Sequence, residues 1–264
     1  MVNSSQIAIV CFNNRTLVTL ERGNDVVWFL LILFACQVFY YEDETTKDLE
    51  IAKVSQSYNT GISTAIDSSV RVDIYEGGYR IGHGSGNLFR IGRRHFIITA
   101  SHVVEGHERV LLTEQGGNMV PAEVLWANLD SDVAILLPLN HLKQTEPSGY
   151  VNNKARDLDG KSLYFHGYPS DHAGLLINGF VSSTDYSTII MQSNAWFGAS
   201  GSVVFDQAGR AVGIVHAITM ELNPFHGGPE FIETIVVVNR LYDLQRKDIL
   251  GILKNADSKS RNPN

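Results

Sequence analysis

The sequence predicts an all-β fold closed by one C-terminal helix, behind an N-terminal apolar segment. Three observations carry that expectation. Short alternating or apolar runs recur from Val70 to Val238, and turn pairs such as Gly77-Gly78 and Gly116-Gly117 punctuate them. The same rhythm appears on both sides of a loop, Asn140–Asp159, which bridges two halves. Glycine is frequent, 23 of 264 residues, as expected where many short strands are joined by turns.

In chain order, residues 1–25 carry no pattern that assigns a fold. Val26–Tyr41, "VVWFLLILFACQVFYY", has Gln37 as its one strongly polar residue. It is slightly shorter than the roughly twenty residues of a spanning helix. Phe39, Tyr40 and Tyr41 suit a membrane interface. Residues 26–41 are therefore expected to be a transmembrane or signal-anchor segment, against a buried core helix or strand. As an uncleaved anchor it would leave Arg15 and Arg22 on the cytoplasmic side and export the rest, ahead of acidic Glu42-Asp43-Glu44. Alternatively, Leu33-Phe34-Ala35-Cys36 is similar to a bacterial lipobox, with acylation at Cys36, although Phe34 stands where a small residue is usual. Residues 42–68 are polar and read as a linker or short helix.

The first half offers six strands, Val70–Tyr75, Gly86–Ile91, His95–Thr99, Val110–Thr113, Ala122–Trp126 and Val133–Leu137. A turn, Gly82-His83-Gly84-Ser85-Gly86, is expected before the third. The second half offers Ser162–Phe165, Gly174–Ser183, Thr188–Gln192, Ser202–Asp206, Ala211–Thr219 and Glu233–Val238, with Asp206 and Gly209 marking a hairpin. From Asn239, apolar Leu241, Leu244, Ile249 and Ile252 fall on a helical period behind a possible Asn cap. Residues 69–253 thus form one expected domain, and 254–264 a disordered polar tail.

Composition excludes some functions. The formal net charge is −7 and no basic stripe interrupts it, so nucleic acid is not an expected partner. Both cysteines, Cys11 and Cys36, precede the domain, which therefore has no disulfide framework. No Cys or His spacing suggests a metal site; His166 and His172 read as surface histidines framing a loop.

The chemistry is concentrated in three places. Trp196–Val204, "WFGASGSVV", sets Ser200 in a glycine-flanked turn where the amides of Gly198 and Ser200 can aim at one oxyanion. Phe96–Val104, "FIITASHVV", ends an apolar strand at His102, a base with a near-neutral titration range. Asp132 heads the apolar run Val133–Leu137, placed to orient that imidazole. Each alone reads as a turn former or an ordinary polar residue, but the order His102, Asp132, Ser200 is one that triads use. The α/β-hydrolase elbow Gly-x-Ser-x-Gly does not fit, because Ser202 takes its last position and acid and base come before the serine.

These motifs resemble trypsin-like (chymotrypsin-fold) serine proteases. "ITASHVV" resembles the family's histidine motif, "DVAIL" at 132–136 its aspartate motif, and "GASGSVVF" at 198–205 its serine motif. "GRAVGIVHAI" at 209–218 is similar to a strand of the HtrA/Deg branch, and Gly167-Tyr168-Pro169 is also family-like. The resemblance spans about Ser69 to Asp248. It implies two six-stranded antiparallel β-barrels with the site between them, polypeptide substrates and no cofactor. The PDZ domain of the HtrA branch is not expected, since the chain ends too soon after the protease region. It implies further that Asn194 lies at the base of the primary pocket, with His216, Ala217 and Ile218 on one wall. A neutral Asn194 argues against cleavage after Arg or Lys, and Ile218 favours small or medium aliphatic residues. His216 complicates this, because some relatives bind an acidic side chain through a nearby histidine. Ala199 stands where many trypsins carry an aspartate that pairs with a new amino terminus, so activation by cleavage near Val70 is not expected. The expectation overall is a membrane-attached serine endopeptidase with its domain on the exported side. The alternatives are a non-catalytic binding or anchoring module of the same fold, and a viral processing protease behind a membrane segment.

Overall fold

The computed structural model describes residues 9–12, 15–18, 60–222 and 229–261. The apolar segment 26–41, with Cys36, and residues 42–59 of the expected linker lie outside the described residues. Among the described residues no helix is long and apolar enough to cross a membrane. The chain divides into two units, Met1–Val54 and Ser55–Asn264. In the first, strands β1 (Ile9–Phe12) and β2 (Arg15–Val18) pair antiparallel, with Phe12 opposite Arg15.

The second unit begins with a helix, α1, over residues 60–68, so the last part of the expected linker is helical. Its buried Ser68 donates to the Thr64 carbonyl and accepts from Asn87 Nδ2 at 2.9 Å. Six strands follow: β3 (Ser69–Glu76), β4 (Tyr79–Ile91), β5 (Arg94–Thr99), β6 (Arg109–Thr113), β7 (Met119–Asn128) and β8 (Val133–Pro138). They join in the order β3-β6-β7-β8-β5-β4, and β3 pairs with β4 to close the ring. A short β9 (Ser148–Gly149) adds parallel to β4. The second barrel is β10 (Ser162–Gly167), β11 (Leu175–Thr184), β12 (Thr188–Gln192), β15 (Pro229–Arg240), β14 (Ala211–Leu222) and β13 (Val203–Phe205), in that spatial order. Both six-stranded antiparallel barrels expected from the sequence are present.

Two boundaries differ from expectation. Gly82–Gly86 is not a turn but the middle of β4. Bare α-carbons are needed there because a Cβ on Gly84 would lie 2.6 Å from Val103 and 3.0 Å from the Ser200 carbonyl, and one on Gly86 2.8 Å from Ile97. The final helix, α2, spans Arg246–Arg261, so Asn239 is still in β15 and the expected tail is helical through Arg261. The helix starts where Asp248 Oδ2 accepts the Gln245 N–H at 3.0 Å, half of a capping box.

The period of two in the strands divides the core. Ile97, Ala134 and Leu136 face into the first barrel with Val72 and Leu112; Val204, Val212 and Val215 face into the second with Phe165 and Val236. Their neighbours Phe96, Ile98, Val133, Ile135, Val203 and Phe205 point the other way, into a third cluster between the barrels. Phe89 lies at its centre, 5.9 Å from Phe96, 5.4 Å from Tyr150 and 6.0 Å from Phe205 by ring centroid. Ile249 and Leu253 of α2 cover it. This explains why the strands next to His102, Asp132 and Ser200 read as unbroken apolar runs: both of their faces are buried. At about 1.5–3 kcal/mol per fully buried aromatic or aliphatic side chain, the seam is a main source of cohesion between the halves.

Candidate active site

His102 lies in the turns after β5, and Asp132 immediately precedes β8, the strand that pairs with β5 through Thr99 and Ala134. That pairing brings the two side chains together. Asp132 has a positive φ of 51°, uncommon outside glycine, within a turn closed by its own N–H to the Leu129 carbonyl. The residue is 4 % exposed and its carboxylate accepts four hydrogen bonds. Oδ1 takes Ser101 Oγ at 2.8 Å and the His102 N–H at 2.9 Å. Oδ2 takes His102 Nδ1 at 2.8 Å and His216 Nδ1 at 2.5 Å. Burial alone would raise the Asp132 pKa, but these donors, those of His102 and His216 foremost, hold it well below the usual carboxylate range. An ionised carboxylate only accepts, so both Nδ1 atoms carry protons, and in the neutral ring His102 Nε2 is left as the acceptor.

Ser200 is half-buried, and its backbone ties it to the same corner. Its carbonyl accepts the Ser85 N–H at 2.8 Å, beside Gly84, which in turn lies against Val103. The following Gly201 has φ +86° and fits so closely that a Cβ would meet the Ser85 carbonyl at 2.3 Å and the Ala100 amide at 2.8 Å. Gly201 also donates to the Val215 carbonyl at 2.8 Å, next to His216. The residues flanking Ser200 therefore pack against the residues flanking His102. Among the described residues Ser200 Oγ has no hydrogen-bond partner.

The turn before the serine is fixed peptide by peptide. The Phe197 carbonyl accepts the Ser170 N–H at 2.8 Å, and the Ala199 carbonyl accepts the Ser202 N–H at 3.0 Å. Both peptides are trans, so the Gly198 and Ser200 N–H groups point opposite to these tethered carbonyls. Neither amide has an acceptor among the described residues. Gly198 has φ +97°, and the sequence placed glycine where that conformation needs it. Its own carbonyl is held by Ser85 Oγ at 2.7 Å. Two free donors on neighbouring, anchored peptides are what an oxyanion site is made of.

The family described as the trypsin-like peptidase domain matches residues 84–214, an interval that contains His102, Asp132, Gly198 and Ser200. The chain carries a trypsin-like peptidase domain. Among solved structures, the crystal structure of the serine endoprotease from Yersinia pestis is similar, with a TM-score of 0.59 and 19 % identity. The likeness covers 75 % of this chain and 67 % of that one, and is a likeness of fold. No curated protein matches the sequence.

The other sequence-predicted residues of this peptidase domain fall in different places. His216 turns to Asp132, with its ring edge-on to His102 at 5.9 Å between centroids. Ala217 and Ile218 are half-buried on β14, Ile218 against the second barrel's core. Asn194 is exposed just past β12. Ala199 is 1 % exposed in that same apolar core. His166 is not at the surface: it is 5 % exposed, its Nδ1 lies 2.6 Å from Ser69 Oγ, and burial pushes its pKa down to about 4. His102, Asp132 and His216 are also the one described group of metal-ligating side chains, their ligand atoms within 4.8 Å of one another. Contacts of 2.5 and 2.8 Å to a single oxygen are hydrogen bonds, whereas ligands about 2.0–2.1 Å from a tetrahedral zinc stand more than 3 Å apart. The group as built fits shared protons. Sequence reasoning missed Ser85 and Ser170, for which a serine in a Gly/Ser-rich or Pro-Ser stretch gives no warning.

Proposed function

We propose that this chain is a serine endopeptidase acting through an acyl-enzyme. Ser200 Oγ attacks the peptide carbonyl while His102 Nε2 takes its proton; the C–N bond breaks and His102 returns that proton to the leaving amine. Water then repeats the cycle and frees the acid product and Ser200. Asp132 keeps His102 in the reactive tautomer and stabilises the imidazolium. The amides of Gly198 and Ser200 carry the oxyanion. The observation that supports this most strongly is the 2.8 Å Nδ1–Oδ2 bond between His102 and Asp132, with Ser200 fixed beside their chain neighbours. The test is labelling of the protein by a fluorophosphonate probe. Labelling that vanishes in Ser200→Ala is expected; a folded protein that stays unlabelled would instead be a binding module.

Substrate preference and location extend the same reading. Neutral Asn194 and branched Ile218 support cleavage after small or medium aliphatic residues, and efficient cleavage after Lys or Glu in a peptide library would overturn it. Buried, apolar Ala199 supports activity without a new amino terminus. Residues 26–41 would attach the chain to a membrane with the domain on the exported side. Carbonate extraction and protease accessibility of intact membranes test both points.

A further inference from the structure

Asn87 of β4 is fully buried, with its side-chain amide shut between the serine strand and the helix that precedes the barrels. On one side Oδ1 accepts the Val203 N–H at 2.8 Å, where β13 begins just past Ser200. On the other, Nδ2 donates to Ser68 Oγ at 2.9 Å and to the Ala65 carbonyl at 3.4 Å, both on α1. A backbone N–H only donates and a carbonyl only accepts, so the amide fits in one orientation. The Ser68 hydroxyl is committed too: it donates to the Thr64 carbonyl at 2.6 Å and keeps a lone pair for Asn87. Thus α1 decides which end of the Asn87 amide meets the strand behind the nucleophile.

The same helix holds the far end of β13. Gly61 donates its N–H to the Gln207 carbonyl at 3.2 Å, and a Cβ on Gly61 would run into the Asp206 carbonyl. Gly209, at φ +74°, lies against Thr64, whose Oγ1 would be 2.8 Å from a Cβ there. Asp206 to Gly209 is the turn after β13, so α1 grips this three-residue strand at both ends. The gripping face, Gly61, Ala65 and Ser68, follows the helical period. Such small residues let backbones approach but bury little apolar area. Of α1, only Ala65 joins the seam cluster, and neither barrel's own core includes any of it. Docking of α1 is therefore separable from folding of the barrels.

We propose that α1 is an activating clasp and that Asn87 is the positioning residue through which it acts, an assignment that rests on the serine peptidase reading. With α1 docked, the run behind the nucleophile is tied down group by group: the Ser200 carbonyl to Ser85, the Gly201 N–H and the Ser202 carbonyl to Val215, and the Val203 N–H to Asn87. With α1 released, Nδ2 loses both acceptors and the amide turns freely, presenting its NH2 to Val203 as readily as its oxygen. Val203 then loses its anchor, and Ser200 its exact placement against His102, on which the attack depends. Release of one surface helix thereby switches the peptidase off while both barrels stay folded.

The test uses the full chain. Gly61→Leu forces α1 off the turn after β13 without changing Asn87, and Asn87→Ala removes the amide with α1 in place. Each is expected to lower kcat roughly 10–100-fold, the scale of one buried group left without its partner, with KM nearly unchanged. The double variant should lose no more than either single one, because both changes break one path. Leu253→Ala, which loosens the seam from α2, should lower Tm and leave kcat as it was. If Asn87→Ala does not fold, Ser68→Ala takes its place in the cycle, with a smaller loss of kcat expected. Hydrogen exchange supplies a readout independent of turnover: the Val203 N–H should exchange at least tenfold faster in Gly61→Leu, with the first barrel's amides still protected. Unchanged kcat in Gly61→Leu, losses that multiply in the double variant, or unaltered exchange at Val203 would overturn the inference. An inactive parent in which Gly61→Leu still frees the Val203 N–H would instead sink the peptidase reading and leave the clasp standing.

Discussion

The hydroxyl of Ser85 donates to the carbonyl of Gly198 at 2.7 Å while accepting the N–H of Tyr168 at 2.9 Å. A buried side chain of the first barrel thus holds the turn that carries both oxyanion donors. In Ser85→Ala two buried backbone groups lose their partner. We expect a stability loss of about 1–3 kcal/mol and a kcat lowered about tenfold or more, with KM little changed. Thermal melts and steady-state kinetics on one peptide check both.

Ser170 lies in a one-turn 3-10 helix, Pro169–Asp171, at φ 49° and ψ 36°, a left-handed conformation that lets its N–H reach the Phe197 carbonyl. Ser170→Gly relieves the backbone strain and keeps the donor, so activity should persist and Tm should rise slightly. Ser170→Pro removes the donor and cannot take a positive φ. It should lower kcat by about tenfold or more and leave the barrels folded by circular dichroism.

Gly198→Ala puts a Cβ 2.5 Å from the Tyr168 carbonyl and 2.4 Å from His83 Nε2, at φ +97°. The imidazole can move; the backbone oxygen cannot do so cheaply. We expect strain of about 1–3 kcal/mol to be relieved by rotation of the neighbouring peptides, with kcat falling about a hundredfold. Burst-phase kinetics should show slowed acylation, and an unchanged acylation rate would contradict the role given to this amide.

His166 predicts acid sensitivity. Its buried imidazole has a pKa of about 4 against the usual 6.5, so the unfolded chain binds the proton more readily than the folded one. Stability is then full above pH 6.5 and is lost as pH falls from there towards 4. On the order of 2 kcal/mol should disappear between pH 7.5 and 5 by linkage. Urea melts at the two pH values should show this, and His166→Asn should flatten the difference.

The parts of the site that the sequence revealed are those whose chemistry is local. His102 and Asp132 each end or begin a strand buried on both faces, so an apolar run marks them, and Gly198 and Gly201 announce their positive φ. His216 was visible as a residue but not as a partner of Asp132, because the bulge that redirects it depends on the register of β14 against β15 and leaves no mark in either strand's composition. Gly84 and Gly86 read as turn residues for a related reason. Glycine serves both turns and close approaches, and only the packed Val103, Ile97 and Ser200 tell the two apart. The stretch from 254 to 261 is helical yet reads as tail in the sequence because its residues are mostly polar. Leu253 and Ile249, one turn before, anchor that extension.

At Gly84 and Gly201 the two halves of the molecule touch through hydrogen where any other amino acid would present carbon. Every missense change of a glycine codon adds that carbon. Genetic drift therefore has no neutral missense step at either codon, however freely the outer surfaces of the barrels change. A library of random variants selected for proteolysis should come back with both codons unaltered in meaning.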